Sequence, residues 1–169
     1  RMMLLWIRGC RAIGCYSPSS HNHLDWLHEL PIQYDSSTFD ADPFEPQNDG
    51  VDCILPYVVH GTTPGQSYVE LPYTLPQDFA VFVLLEQKTI DSWITKVDWI
   101  ASQGGFAFLV VHPDYVRFGA DHAPTFGYPV EHYVQFLTYV REAYGHRCWH
   151  ALPRDIARHW RAVGGDPRP

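Results

Sequence analysis

Apolar and polar positions along the chain follow two periods, one helical and one extended. Ile90, Trp93, Ile94, Val97 and Ala101 recur at helical spacing and predict an amphipathic helix. Gly104 and Gly105 end it, as glycine does past a helix C-terminus. Val130, Tyr133, Val134, Leu137, Val140 and Tyr144 line a second helix, opened by Pro129 and closed by Gly145. Pro153 opens a terminal helix with Ile156, Ala157 and Trp160 on its apolar side. Ser20 reads as the N-cap of an earlier helix through His28, with Leu24, Leu27 and Leu30 at helical spacing.

Strand signals lie between these helices. Residues 106–111 (FAFLVV) contain no polar side chain, the mark of a strand covered on both faces. Residues 32–38 and 67–71 read as strands, 11–15 as a short one, and 148–151 as a last one. Residues 80–85 (AVFVLL) fit either a buried strand or a helical turn, because periodicity alone does not separate the two. Two long loops remain, 39–66 and 113–127. The first is rich in Asp, Pro and Gly, and its Phe39, Phe44 and Tyr57 suit a packed wall of a cleft. Alternating strand and helix predict an α/β fold with a parallel sheet, in the form of a barrel with its site at the strand C-termini.

Length and composition narrow the classes. The 169 residues suit a single domain, 1–169, and 46% hydrophobic content with 18% charged residues excludes a disordered chain. The net charge of −7 argues against a nucleic-acid partner, which calls for a basic stripe. No apolar run reaches a membrane span. Cys10, Cys15, Cys53 and Cys148 fit neither a zinc ribbon nor a dense disulfide framework, so they read as reduced thiols of a cytoplasmic protein. The chain opens on Arg1, which reads as a trimmed start or a piece of a longer product. Neither a dinucleotide-binding glycine motif nor a phosphate-binding loop is present.

His112 is the strongest candidate for chemistry. It follows the apolar run directly, at the end where barrel enzymes gather catalytic groups, and Pro113 stops the strand behind it. Asp35 lies among apolar and small neighbours, where a carboxylate needs a partner; a capping role also fits it. Glu70 sits near the end of a strand, either lining a cleft or exposed on an edge. His21 and His23, two apart at a helix start, diverge and suit a metal poorly, so a metal site on them ranks last. Arg154, Arg158 and Arg161 share one side of the last helix and read as a solvated, dipole-complementing face.

The ordered motifs SPS (17–19), YDSSTF (34–39), DPFEPQ (42–47), ELP (70–72) and FLVVHP (108–113) resemble the later part of the polysaccharide deacetylase (NodB-homology) family. The likeness runs from about Gly14 to Trp160 and includes YTLPQDF (73–79) and WHALPRD (149–155). The resemblance implies an incomplete (β/α) barrel lacking its opening strands. It implies a carbohydrate partner and hydrolysis of N-acetyl groups with a divalent metal, usually zinc. Val110, Val111 and His112 occupy the place of the family's L-x-H motif, which makes His112 the general acid. Asp35 matches the orienting carboxylate that pairs with a family arginine, and Tyr16 stands where that arginine belongs. A tyrosine makes no bidentate pair with a carboxylate. Phe39, Phe44 and Glu70 are then the substrate-binding candidates.

One departure is larger. No T-F-D-D-like segment precedes Gly14, Phe39-Asp40 comes too late in the order, and no H-x-x-x-H lies upstream. The family's metal ligands and general base therefore have no positions here. The resemblance thus implies a truncated, inactive deacetylase, or else a non-catalytic carbohydrate-binding or structural remnant. A missing first strand also leaves an open sheet edge that invites self-association.

Overall fold

The computed structural model describes residues 14–15, 23–41, 50–63, 65–119 and 127–164. Its strands are β1 (Gly14–Cys15), β2 (Tyr34–Asp35), β3 (Tyr57–Val59), β4 (Tyr68–Glu70), β5 (Val116–Arg117) and β6 (Tyr128–Pro129). Its α-helices are α1 (Asp91–Gln103), α2 (Val130–Tyr144) and α3 (Pro153–Ala162). Single 3-10 turns cover Leu24–Glu29 and Pro113–Tyr115, and a π-helical turn covers Phe79–Leu84.

The main sheet has the order β1-β2-β4-β3. β1, β2 and β4 run parallel, with Cys15 opposite Asp35 and Asp35 opposite Glu70. The parallel pairing resumes at Phe39 and Tyr73. The α/β class and parallel pairing therefore stand, while the described residues form small sheets and no closed barrel. β3 is antiparallel to β4 and lies inside the segment 39–66, where only a loop was expected. Its alternation spans just Tyr57, Val58 and Val59, between Pro56 and His60, too short for a periodicity signal.

Two strand expectations shrink for the same reason: side chains replace ladder bonds. In 32–38 the ladder covers Tyr34–Asp35 alone, because Ser36 Oγ donates to the Leu71 carbonyl and the Ser37 and Thr38 amides donate to Glu70. The run 106–111 forms no strand and is only half-buried, with Ala107 exposed, not covered on both faces. Thr74 Oγ1 donates to the Phe106 carbonyl and accepts the Phe108 amide, standing in for a backbone rung. The run 80–85 resolves as the π-helical turn, with the Leu85 amide donating to the Ala80 carbonyl. Residues 148–151 form no strand; the Arg147 and Cys148 amides fold back onto the Tyr144 carbonyl, and Trp149 is exposed.

α1 buries Trp93, Val97 and Ile100, and Gly104 ends it in the left-handed region at φ 68°. The apolar face of α2 is the expected one in part. Phe136 is buried and Tyr133, Tyr139, Val140 and Tyr144 pack on the core, while Val134 and Leu137 are exposed. These helices enclose the largest core with Leu75, Val81, Phe82 and Tyr128. α3 lays Ile156, Ala157 and Trp160 against Val69, Leu71, Phe106 and Phe108. Its Arg161 donates to the Ser67 and Gln33 carbonyls, so it anchors the helix rather than only facing solvent. The helix expected from Ser20 is a 3-10 turn burying only Leu27, stopped before Pro31; Ser20 lies outside the described residues.

Candidate functional site

Asp78 organises the site around His112. It is the N-cap of the π-helical turn, and its Oδ1 accepts the Phe79 amide at 2.8 Å. The chain brings 106–112 alongside 74–78, so the His112 amide reaches Asp78 Oδ2 at 2.8 Å. The imidazole then folds back, and Nδ1 lies 2.6 Å from Oδ1. Tyr128, at the start of β6, adds its hydroxyl to Oδ2 at 3.1 Å. Asp78 is wholly buried, whereas the His112 side chain is 34% exposed.

This geometry fixes the imidazole. An ionised carboxylate can only accept, so Nδ1 carries the proton that points at Asp78. Nε2 is left as the ring nitrogen that does not face Asp78. Tyr115 borders the ring edge-on, with centroids 5.5 Å apart, and itself stacks on Phe79. Burial first, and the charge of Asp78 second, push the Tyr128 phenol well above its ordinary value, so it stays a donor. His132 packs against Phe82 and Tyr128, and burial lowers its pKa.

Asp35 and Glu70 form a second cluster. Both are fully buried, and they face each other across β2 and β4. Glu70 Oε1 accepts the Ser37 amide at 2.9 Å, the Thr38 amide at 2.9 Å and the Thr38 hydroxyl at 2.8 Å. Burial, and then the neighbouring charge of Asp35, push the Glu70 carboxyl up to about 8. At neutral pH the pair therefore holds a proton on Glu70, as two close carboxylates in a low dielectric do. Glu70 is not exposed on an edge, and its bonds go to the 36–38 turn.

The other sequence candidates separate. Phe39 is buried against Tyr73 and offers no surface to a ligand. Tyr16, Phe44 and His21 lie outside the described residues. His23 is exposed and stacks on Trp26 at 4.1 Å. Asp40 is held by the Lys96 ammonium at 2.6 Å. Among the described residues no three His, Cys, Asp or Glu side chains come together as a metal ligand set. The described residues therefore do not fit the zinc that the resemblance implies.

Sequence reasoning missed Asp78 and Tyr128. Asp78 had a readable signal: it is the carboxylate in front of the apolar run 80–85, the position of a helix N-cap. Tyr128 had none, since only the pairing of β5 with β6 brings it to Asp78.

No family model matches the chain, and no curated protein matches it in sequence. A solved structure does match, that of PuuE allantoinase, with a TM-score of 0.54 at 19% sequence identity. The chain has an allantoinase-like fold. The match covers 96% of this chain and 50% of that allantoinase, so the chain spans about half the length of its structural relative. At this identity the likeness to PuuE allantoinase is one of fold alone. Among the described residues no helix is long and apolar enough to cross a membrane.

Proposed function

We propose that this chain supplies the acid side of a deacetylase-type hydrolase site. In this reading the His112 imidazolium gives its Nε2 proton to the leaving nitrogen as the C–N bond of an N-acetylated sugar breaks. Asp78 holds the ring, keeps Nδ1 protonated and stabilises the cation; Tyr128 and the Phe79 amide hold Asp78. The observation that carries the reading is the 2.6 Å contact of His112 Nδ1 with a wholly buried Asp78. The motif order around FLVVHP supports the substrate class, and the allantoinase-like fold supports a hydrolase setting.

Amide hydrolysis also needs an activated water and a polarised carbonyl. Asp35 and Glu70 are both buried and Glu70 keeps its proton at neutral pH, so the pair is a poor base for water. General acid catalysis alone contributes about 10²–10⁴-fold, well below usual enzymatic accelerations. The 169-residue chain, with zinc or cobalt added, is therefore expected to release no acetate above blank from N-acetylglucosamine oligomers. It is expected to bind such oligomers with a perturbed His112 imidazole resonance. Metal-dependent acetate release abolished by His112→Ala would reveal a complete site in this chain; absence of any oligomer-induced change at His112 would remove the carbohydrate reading.

A further inference from the structure

Residues 146–161 differ from the rest of the chain in charge. They hold four arginines and three histidines against a single acid, Asp155, in a chain whose net charge is −7. They hold no lysine. At physiological salt a charge is screened beyond about 8 Å, so this local excess decides what docks here. α3 sets the arrangement. Its Ile156, Ala157 and Trp160 pack inward. Arg154 and Arg158, four residues apart, share the outward face and are exposed. Asp155 lies 3.8 Å from Arg154 and 3.6 Å from Arg158, and all three side chains reach solvent. Exposed pairs of this kind contribute little, so both guanidiniums remain available to a better acceptor. His159 is exposed beside them, and the ring of Trp149 packs edge-on against it at 5.2 Å. Trp149 is itself 58% exposed. The segment before α3 thus folds back beside the arginines with much of its indole open to solvent.

Charge, spacing and ring surface together select the partner. The fixed cations are all arginine, whose planar fork suits discrete oxyanions held in two parallel hydrogen bonds. Arg154 and Arg158 stand about 6 Å apart along the helix axis, the scale of one sugar ring. That step fits a polymer with one charge per sugar better than duplex nucleic acid, which carries one charge per about 1.7 Å of axis. Trp149 and His159 offer ring surface to the flat apolar side of a sugar. A bilayer fits less well, because an interfacial helix buries its apolar face in lipid and that of α3 is already packed on Val69, Leu71, Phe106 and Phe108. An acidic peptide would satisfy the arginines but brings no flat ring to the indole.

We infer that the outward face of α3, together with Trp149, binds an acidic polysaccharide of the polyuronate type. Carboxylates on successive sugars pair with Arg154 and Arg158, and a neighbouring sugar ring lies on Trp149. The surface shares no residue with the His112 cluster, and the inference is independent of the proposed acid role.

Calorimetric titration of the full 169-residue chain with oligogalacturonate tests it. The expected result is saturable binding that weakens with added salt. The methyl-esterified oligomer keeps the rings and loses the charges, so the parent chain should bind it about tenfold more weakly or worse. Arg154→Gln combined with Arg158→Gln should weaken oligogalacturonate binding by a similar factor. Arg154→Lys combined with Arg158→Lys should not restore it, because an ammonium keeps the charge without the fork. Trp149→Ala should weaken binding of oligogalacturonate but not of poly-glutamate. Circular dichroism checks that these exposed-site variants fold, and the comparison of the two oligomers needs no variant. A parent chain that does not bind oligogalacturonate, or binds the ester as tightly, would overturn the inference. So would binding of poly-glutamate, an oligothymidylate or phosphatidylglycerol vesicles as tight as that of oligogalacturonate, or parent affinity in the Arg154→Gln, Arg158→Gln double variant.

Discussion

Asp78 accepts from the Phe79 amide, the His112 amide, the His112 ring and the Tyr128 hydroxyl while wholly buried. A buried carboxylate is stable only when its lone pairs are filled in this way. Asp78→Asn replaces one acceptor oxygen by an NH₂ that must face a donor. It should cost about 1–3 kcal/mol of stability, read from urea unfolding at a pH where His112 is neutral. Tyr128→Phe removes one donor and should cost less, about 0.5–1.5 kcal/mol. Equal losses in the two variants would show that the ring of His112 is not held by Asp78. Glu70 makes a separate prediction. Its carboxyl titrates at about 8 in the folded chain, raised by burial and by Asp35. The folded state thus keeps a proton that the unfolded chain releases in the ordinary carboxylic range. The stability owed to this group is full below that range, falls as pH rises, and is gone above about 8. Glu70→Gln retains an oxygen for the Ser37 and Thr38 donors and cannot ionise. Its unfolding free energy should fall less steeply with pH over this window than that of the parent chain. An identical slope would contradict the assignment.

The helices and the sheet were legible to different degrees. α1 and α3 follow directly from their apolar spacing, because each buries one stripe against one surface. Trp93 shows the strength of that packing. It is wholly buried, its ring meets Phe82 and Phe136, and its Nε1 donates to the Pro76 carbonyl at 2.8 Å. Trp93→Ala should destabilise the fold by about 3–5 kcal/mol, measured as a loss of denaturation midpoint; a change within a few tenths would mean that α1 is not packed on this core. The face of α2 was read in part: Tyr133, Val140 and Tyr144 pack on the core as expected, whereas Tyr139, not expected there, is drawn inward by its hydroxyl bond to Asp98 on α1. A hydropathy pattern does not register such a polar clamp. The strands were harder still. Thr74, Ser36 and Glu70 complete backbone pairing with side-chain atoms, so 32–38 and 106–111 look like longer strands in sequence than the ladder makes them. Within the site, His112 was visible from its place behind an apolar run, whereas the long-range contacts of Tyr128 and the proton kept on Glu70 beside Asp35 depend on parallel register.

At the scale of the molecule, the Asp78 cluster ties together three distant stretches: the turn after β4, the end of the 106–112 run and the first residue of β6. The two cores meet along that line, with Leu109 on the α1–α2 side and Phe106 and Phe108 on the α3 side. The fold is therefore tied together along the run that ends at His112. That convergence makes the state of the His112 ring decisive. It is read most directly by long-range ¹H–¹⁵N correlation of the imidazole in the parent chain and in Asp78→Asn, above the pH at which the ring is neutral. A single Nδ1–H tautomer with a slowly exchanging Nδ1 proton is expected in the parent, with loss of that preference in Asp78→Asn. A neutral His112 carrying its proton on Nε2, or a tautomer mixture that Asp78→Asn leaves unchanged, would contradict it.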